Sequence, residues 1–255
     1  MSGPEIAAIL LAGVAAGTIN TVVGSGTLIT FPTLLAFGVP PVTANVSNTV
    51  GLVPGSVSGA IGYRTELAGQ SARLLRLGTA SGLGGALGAG LLLWLPSEAF
   101  DTIVPVLVGL GVLLVVLGPA ISRRVAARAA ARDRSLEHGA AWVWPAVALA
   151  GVYGGYFGAA QGVLLVAILG IGVADSLQRH NATKNVLAGI VNAVAAVIFV
   201  VVADVDWLVA GLIAAGSIVG GQLGATVGRR LPDPVLRSFI VVVGVTALLV
   251  FLLSD

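Results

Sequence analysis

Eight apolar stretches, each long enough to cross a lipid bilayer, constrain the fold of this chain more than any other feature. Short runs of charged and turn residues separate them. They lie at residues 4–22, 44–63, 77–96, 102–121, 142–158, 182–203, 207–228 and 235–253. A spanning helix needs roughly 20 apolar residues, and only helices or closed barrels satisfy their backbone inside lipid. The pattern therefore predicts an all-α polytopic membrane protein.

Composition excludes the main soluble classes of protein. The 255 residues are 57% hydrophobic and 9% charged, whereas a soluble domain is about 25% charged. A soluble enzyme, a nucleic-acid binder or a disordered chain could not keep so much apolar surface from water. The chain has no cysteine and two histidines, too few for a thiolate or histidine metal site. We expect no enzyme activity, cofactor, metal ion or nucleic-acid partner.

Two shorter apolar pieces, 27–38 and 161–172, each follow a break that contains glycine. The first break is Gly24, Ser25 and Gly26, and the second is Gly158, Ala159 and Ala160. If both pieces cross the membrane, each half of the chain has five segments. Re-entry of both pieces is the alternative, and charge placement does not separate the two arrangements.

Charge placement does indicate which side of the membrane each loop occupies. The arginines lie in residues 64–76, in 122–140, near Arg179 and in 229–237, whereas the loops around residues 98–101 and 204–206 carry only acidic charges. Basic loops are retained in the cytoplasm. We therefore predict a multi-pass protein of the cell (inner) membrane with cytoplasmic arginine-rich loops and both termini outside.

The two halves of the chain match weakly but in a constant order. The two breaks align with each other, and residues 45–49 align with residues 181–185 after a shift of two. With five elements per half, the repeats would be inverted, which is the arrangement that builds a midplane site in secondary transporters. We predict an N-terminal membrane repeat (1–121), a cytoplasmic arginine-rich linker (122–141) and a C-terminal membrane repeat (142–255).

Polar residues inside the apolar segments are the candidates for a binding site, because such groups are costly in a membrane unless they are paired or functional. In each half a glycine break is followed, about twenty residues later, by a polar helix start, and helix starts present free N–H groups and a positive dipole end to anions. The predicted substrate-binding residues are Gly24, Ser25, Gly26, Thr27, Ser47, Asn48, Thr49, Gln161, Thr183, Lys184 and Asn185.

Lys184 is the only lysine in a chain that has twelve arginines. One interpretation is a lysine that snorkels to the cytoplasmic border beside Arg179 and His180. The other is a counter-charge for a bound anion, with Asn48 at the equivalent position of the first half. Both interpretations are open from the sequence.

The sequence resembles the TauE/SafE family (TSUP) of sulfite and organosulfonate exporters. The resemblance depends on residues 17–32, on residues 44–48 with Pro54-Gly55 and Tyr63-Arg64, and on residues 183–192. Ser25 and Thr27 depart from the glycines usual in the first break, and Ser47 replaces a common threonine. The resemblance implies an inner-membrane transporter that moves sulfite, sulfoacetate or a similar sulfur-containing anion outward.

From the residues and the resemblance together, we expect a secondary transporter that exports a small sulfur-containing anion by alternating access. A passive anion channel with a similar substrate range is the alternative. The expected partners are the anion and the lipid bilayer, with a homodimer as an open option. Apart from Glu5 at the start of the first span, no carboxylate lies within an apolar span, which argues against a proton relay of the usual pump type.

Overall fold

The computed structural model describes residues 1–129 and 139–227 and, near the C-terminus, residues 238, 240–246 and 248–249. Every regular element within those ranges is a helix. In chain order the helices are α1 (Gly3–Val22), α2 (Thr27–Ala36), α3 (Pro41–Gly62), α4 (Arg64–Leu67), α5 (Ser71–Trp94), α6 (Ser97–Ala129), α7 (Val143–Tyr156), α8 (Gln161–Gly172), α9 (Leu177–Val202) and α10 (Trp207–Thr226).

Five of these helices, α1, α5, α6, α9 and α10, are long and apolar enough to cross a membrane. The prediction of an all-α polytopic membrane protein is confirmed. The two shorter pieces form helices of 10 and 12 residues, α2 and α8. At 1.5 Å per residue these helices are about 15 and 18 Å long, half of a hydrocarbon core of about 30 Å. Neither can cross the bilayer by itself, so each is a half helix.

Some observed boundaries differ from the predicted ones. Helix α7 ends at Tyr156 after 14 residues, so the segment predicted at 142–158 is shorter than a full span. Helix α6 continues to Ala129, so residues 122–129 of the predicted linker are helical, because alanine and arginine are strong helix formers. Residues 130–138 of that linker, the loop 229–237 and part of the span 235–253 lie outside the described residues.

The helices pack in matching pairs in the two halves of the chain. Helix α10 packs against α1 and α3, and α5 packs against α7 and α9. If α1 is exchanged with α7, α3 with α9 and α5 with α10, the contacts of α10 become those of α5, and the reverse. Two repeats would produce this pattern. The inverted orientation of the repeats stays a prediction.

Glycines allow the closest of these helix pairs to approach through their backbones. A Cβ placed on Gly220 of α10 would lie 2.1 Å from the carbonyl oxygen of Val14 in α1. A Cβ on Gly88 of α5 would lie 2.1 Å from the carbonyl oxygen of Val152 in α7. Small residues in this role are typical of membrane helices, which gain little from the hydrophobic effect when they associate. Gly84 and Gly88 of α5 and Gly216 and Gly220 of α10 all mark such close contacts.

The bundle has two ends with different charge. At the basic end, where α3 ends and α5 and α9 begin, Arg73 and Arg179 both bond to Asp175. At the acidic end, Glu98 and Asp101 lie near the start of α6, and Asp204 and Asp206 precede the start of α10. The helices between these ends form the apolar body of the protein.

Replacing Gly88 by alanine should destabilise the protein by about 1–3 kcal/mol, the usual cost of overpacking, because the new methyl group meets α7 backbone that cannot move aside. Gly90→Ala on the same helix is the matched control, since no atom lies within 4 Å of the added carbon. Thermal unfolding of both variants in detergent checks this. Equal melting temperatures for the two variants would contradict the packing account.

Candidate functional site

The two breaks meet through backbone contact. The amide of Gly162, the second residue of α8, donates a hydrogen bond of 3.0 Å to the carbonyl oxygen of Gly24. A Cβ on Gly24 would lie 2.4 Å from the Cα of Gly162, so no side chain fits between them. Gly24 also has a φ of +88°, which glycine adopts without strain. The contact places the start of α2 and the start of α8 side by side.

This meeting point lies deep in the bundle. Helix α2 leads from it to the acidic end, where α3 begins, and α8 leads from it to the basic end, where α9 begins. The two half helices are about 15 and 18 Å long. Because these lengths are nearly equal, the breaks lie about midway between the two ends of the bundle.

Asn48 of α3 binds the first turn of α2. Its side-chain amide donates a hydrogen bond of 3.3 Å to the hydroxyl oxygen of Thr27, and its carbonyl oxygen accepts a hydrogen bond from the hydroxyl of Thr30. All three side chains are buried. Asn48 therefore fixes the position of α2 beside the first break.

Lys184 is fully buried at the meeting point, so it does not snorkel to the surface. Its ammonium donates hydrogen bonds of 3.1 and 3.0 Å to the carbonyl oxygens of Asn20 and Thr21 in the last turn of α1. A Cβ on Gly162 would lie 3.0 Å from its Cδ atom. A cation beside the last carbonyls of a helix is electrostatically favourable. Lys184 therefore holds the end of α1 close to the start of α8.

Three predicted site residues carry buried polar side-chain atoms with no hydrogen-bond partner. They are the hydroxyl of Ser25, the amide nitrogen of Gln161 and the amide nitrogen of Asn185. These residues are 0%, 3% and 5% exposed. Ser25 and Gln161 each adjoin one of the two glycines in contact, and Asn185 follows Lys184. A buried donor without a partner costs about 1–3 kcal/mol, so a ligand that accepts hydrogen bonds would relieve this cost.

The remaining polar side chains of the predicted site form hydrogen bonds with other parts of the protein. Ser47 accepts a hydrogen bond of 2.9 Å from the backbone amide of Asp206 at the acidic end. Thr183, its equivalent in the second half, donates a hydrogen bond of 3.0 Å to the side chain of Gln70 at the basic end. Thr49 donates to the carbonyl oxygen of Asn45 in its own helix. Ser47 and Thr183 thus tie α3 and α9 to the chain before α10 and α5.

An ion-pair network joins the halves at the basic end. Arg73 donates hydrogen bonds of 2.7 Å to both Asp175 and Gln70, and Arg179 contacts the same carboxylate at 2.9 Å. Burial of Asp175 raises the pKa of its carboxyl group, but the hydrogen bonds from Arg73 and Arg179 outweigh burial and hold that pKa below its ordinary value.

A cavity of about 130 Å³ lies at the basic end. Its inner wall includes Val22, Val23 and Val163, which lie within one or two residues of the two glycines in contact. Its outer wall includes Asn181 and the exposed Gln178. The cavity therefore leads from the surface of the basic end toward the breaks.

The profile of the family described as "Sulfite exporter TauE/SafE" matches residues 9–251 of the chain. The chain belongs to the TauE/SafE family. The match covers nearly the whole sequence and confirms the resemblance seen in the residues around the breaks.

Curated relatives of this family member carry transporter names. It is 26% identical to "Probable membrane transporter protein YfcA" of Escherichia coli strain K12 over 89% of the chain and 82% of that protein. It is 27% identical to "Probable membrane transporter protein ORF9" of Sinorhizobium sp over 98% and 93%. A "Probable membrane transporter protein" of Haemophilus influenzae is 25% identical over 94% and 92%. No solved structure matches the chain significantly.

The TauE/SafE family and these relatives support a membrane transporter, which is not an enzyme in the usual sense. Within this family member, sequence reasoning missed the carbonyl acceptors of Lys184, the role of Thr30 and the pairing of Arg73 with Asp175. Carbonyl acceptors carry no residue-type signal. The pairing of Arg73 with Asp175 joins positions 102 residues apart, which no local pattern reveals.

Replacing Asp175 by asparagine should destabilise the protein by about 2 kcal/mol, as expected for charged hydrogen bonds. Because the folded-state pKa lies below the unfolded one, the carboxylate stabilises fully above the unfolded value of about 3.9, and this stabilisation is lost as pH falls through the folded value. Thermal unfolding between neutral and acidic pH measures both effects. A variant as stable as the parent, with the same acid dependence, would show that the network contributes nothing.

Proposed function

We propose that this protein is a secondary transporter that exports a small sulfur-containing anion, sulfite or an organosulfonate such as sulfoacetate, across the cell (inner) membrane by alternating access. The observation that carries the proposal is the meeting of the two breaks beside a fully buried lysine, where Ser25 and Gln161 hold unpartnered polar atoms, with a third on Asn185, the residue after that lysine. A bound oxyanion would accept hydrogen bonds from these donors.

The chemistry of this meeting point favours an anion over a cation. Its side-chain groups are an ammonium, which only donates hydrogen bonds, and two amides and a hydroxyl, which donate as well as accept. The half helices α2 and α8 both begin there, and each helix start adds a positive dipole end. A sulfite or sulfonate group has three oxygens that accept several such bonds at once. The family's description as a sulfite exporter supports the same substrate class.

The orientation follows from the arginines. We place the basic end in the cytoplasm, because basic loops are retained there. The cavity at that end is then the cytoplasmic entrance to the meeting point. Outward movement of an anion is favoured by an inside-negative potential, by about 2.3 kcal/mol per charge for each 100 mV.

Counterflow of sulfite in proteoliposomes tests the proposal. Vesicles loaded with unlabelled sulfite should transiently accumulate labelled sulfite against its gradient, and the initial rate should saturate with concentration. Sulfoacetate and taurine, added outside, report the substrate range by competition. Flux that is linear in concentration and shows no counterflow would indicate a passive channel. No sulfite-dependent flux of either kind would refute the substrate class.

The same assay identifies the binding groups. Ser25→Ala and Asn185→Ala should raise the sulfite KM about tenfold each, the cost of one lost hydrogen bond to a charged group. Both variants should melt at or above the parent temperature without substrate, because they delete unpartnered polar atoms. Lys184→Ala is less informative, since it also removes the hydrogen bonds to the end of α1.

Asn192→Ala is the matched control, since Asn192 is a half-buried asparagine of the same helix as Asn185. Its sulfite KM should equal that of the parent. An unchanged KM for both Ser25→Ala and Asn185→Ala would refute the site and leave the transport proposal standing.

A further inference from the structure

The space around the breaks differs between the two ends of the bundle. At the basic end the cavity reaches Val22 and Val23 at the end of α1. The equivalent residues at the end of α7, obtained by aligning Gly24 with Gly158, are Tyr156 and Phe157. Both side chains are buried, and a cavity that borders the neighbouring Phe31 of α2 is about 10 Å³.

Four aromatic rings fill the acidic side of the breaks. Phe157 contacts Phe31 of α2 with ring centroids 5.1 Å apart and nearly perpendicular planes. Phe100 of α6 lies 6.4 Å from Phe31, 6.1 Å from Phe157 and 5.8 Å from Tyr156. None of the four residues is more than 9% exposed. This aromatic cluster closes the path from the breaks to the acidic end.

One hydrogen bond fastens the closed side. The side-chain amide of Asn45 in α3 donates a hydrogen bond of 2.9 Å to the carbonyl oxygen of Tyr156, which ties α3 to the end of α7. The equivalent of Asn45 in the second half is Asn181 in α9, and the equivalent of Tyr156 is Val22. Asn181 and Val22 both line the cavity at the basic end. The same pair of positions is therefore bonded at the closed end and lines a cavity at the open end.

We propose that Asn45 and Asn181 are matched gating residues that alternate, Asn45 holding the acidic end closed in the conformation described here and Asn181 holding the basic end closed in the opposite one. In that opposite conformation the amide of Asn181 donates to the carbonyl oxygen of Val22, the aromatic cluster separates, and a cavity forms along α2. The inference rests on the proposed alternating-access transport. It assigns a transport role to two residues outside the substrate site.

Ile29 is the position that reports the opposite conformation. It is 4% exposed, and its equivalent in the second half is Val163, which lines the cavity at the basic end. A cysteine at Ile29 would react with a membrane-impermeant maleimide only when the acidic end opens. The chain has no native cysteine, so each single-cysteine variant needs no further background change.

The experiment measures the labelling rate of Ile29→Cys in lipid nanodiscs without any added anion. Adding Asn45→Ala should raise the rate about fivefold, and adding Asn181→Ala should lower it about fivefold, the equilibrium shift expected from one neutral hydrogen bond. Asn192→Ala should leave the rate unchanged. Gln178→Cys, at the exposed mouth of the cavity, should label at a similar rate in every variant.

Opposite shifts from the two asparagine variants support the proposal. Shifts in the same direction, or no shift from either variant, overturn it. A general loosening of the fold can only raise labelling, so the fall expected for Asn181→Ala decides the matter even if Asn45→Ala does not yield folded protein. The labelling experiment contains no anion, so its result does not depend on the substrate. Opposite shifts together with absent sulfite counterflow would refute sulfite as the substrate and still support the gating roles of Asn45 and Asn181.

Discussion

The backbone contact between Gly24 and Gly162 is the constraint on which the rest of this structure depends. It joins the two breaks without an intervening side chain. Because of it, the half helices α2 and α8 begin together and lead to opposite ends of the bundle. Lys184 lies against Gly162 and holds the end of α1. A substitution at either glycine would move the helix starts, the lysine and the neighbouring donors together.

Some buried polar side chains in the described part of this structure are hydrogen-bonded, whereas others, such as Ser81 and Tyr156, carry an oxygen atom without a partner. The glycine stripes of α1, α5, α7 and α10 pack backbone against backbone, and the polar side chains toward the two ends, such as Ser47 and Thr183, are hydrogen-bonded. Beside the breaks, Ser25, Gln161 and Asn185 keep buried polar atoms without partners. Unsatisfied groups of this kind are rare in a stable core and are expected where a ligand completes them.

Much of the fold could be predicted from the sequence because membrane helices depend on local composition. The length of each apolar run predicted α1, α3 and α10 closely, whereas α5 begins six residues before the predicted segment. The sequence did not decide whether residues 27–38 and 161–172 cross the membrane. The lengths of α2 and α8 show that neither crosses by itself. The candidate site was predicted as residue types near two breaks. Which of them are bonded to the protein and which are free depends on backbone carbonyls far apart in the chain, as with Lys184 and Asn20.

The position of a bound anion is the most direct test of the central claim that the two breaks form the substrate site. Selenite has the shape and charge of sulfite, and its selenium atom is located by anomalous diffraction from crystals of the protein. The account predicts one selenium peak beside the contact of Gly24 with Gly162, within hydrogen-bond reach of Ser25, Gln161 or Asn185. A peak only at the surface arginines of the basic end, with these three side chains still unpartnered, would contradict it.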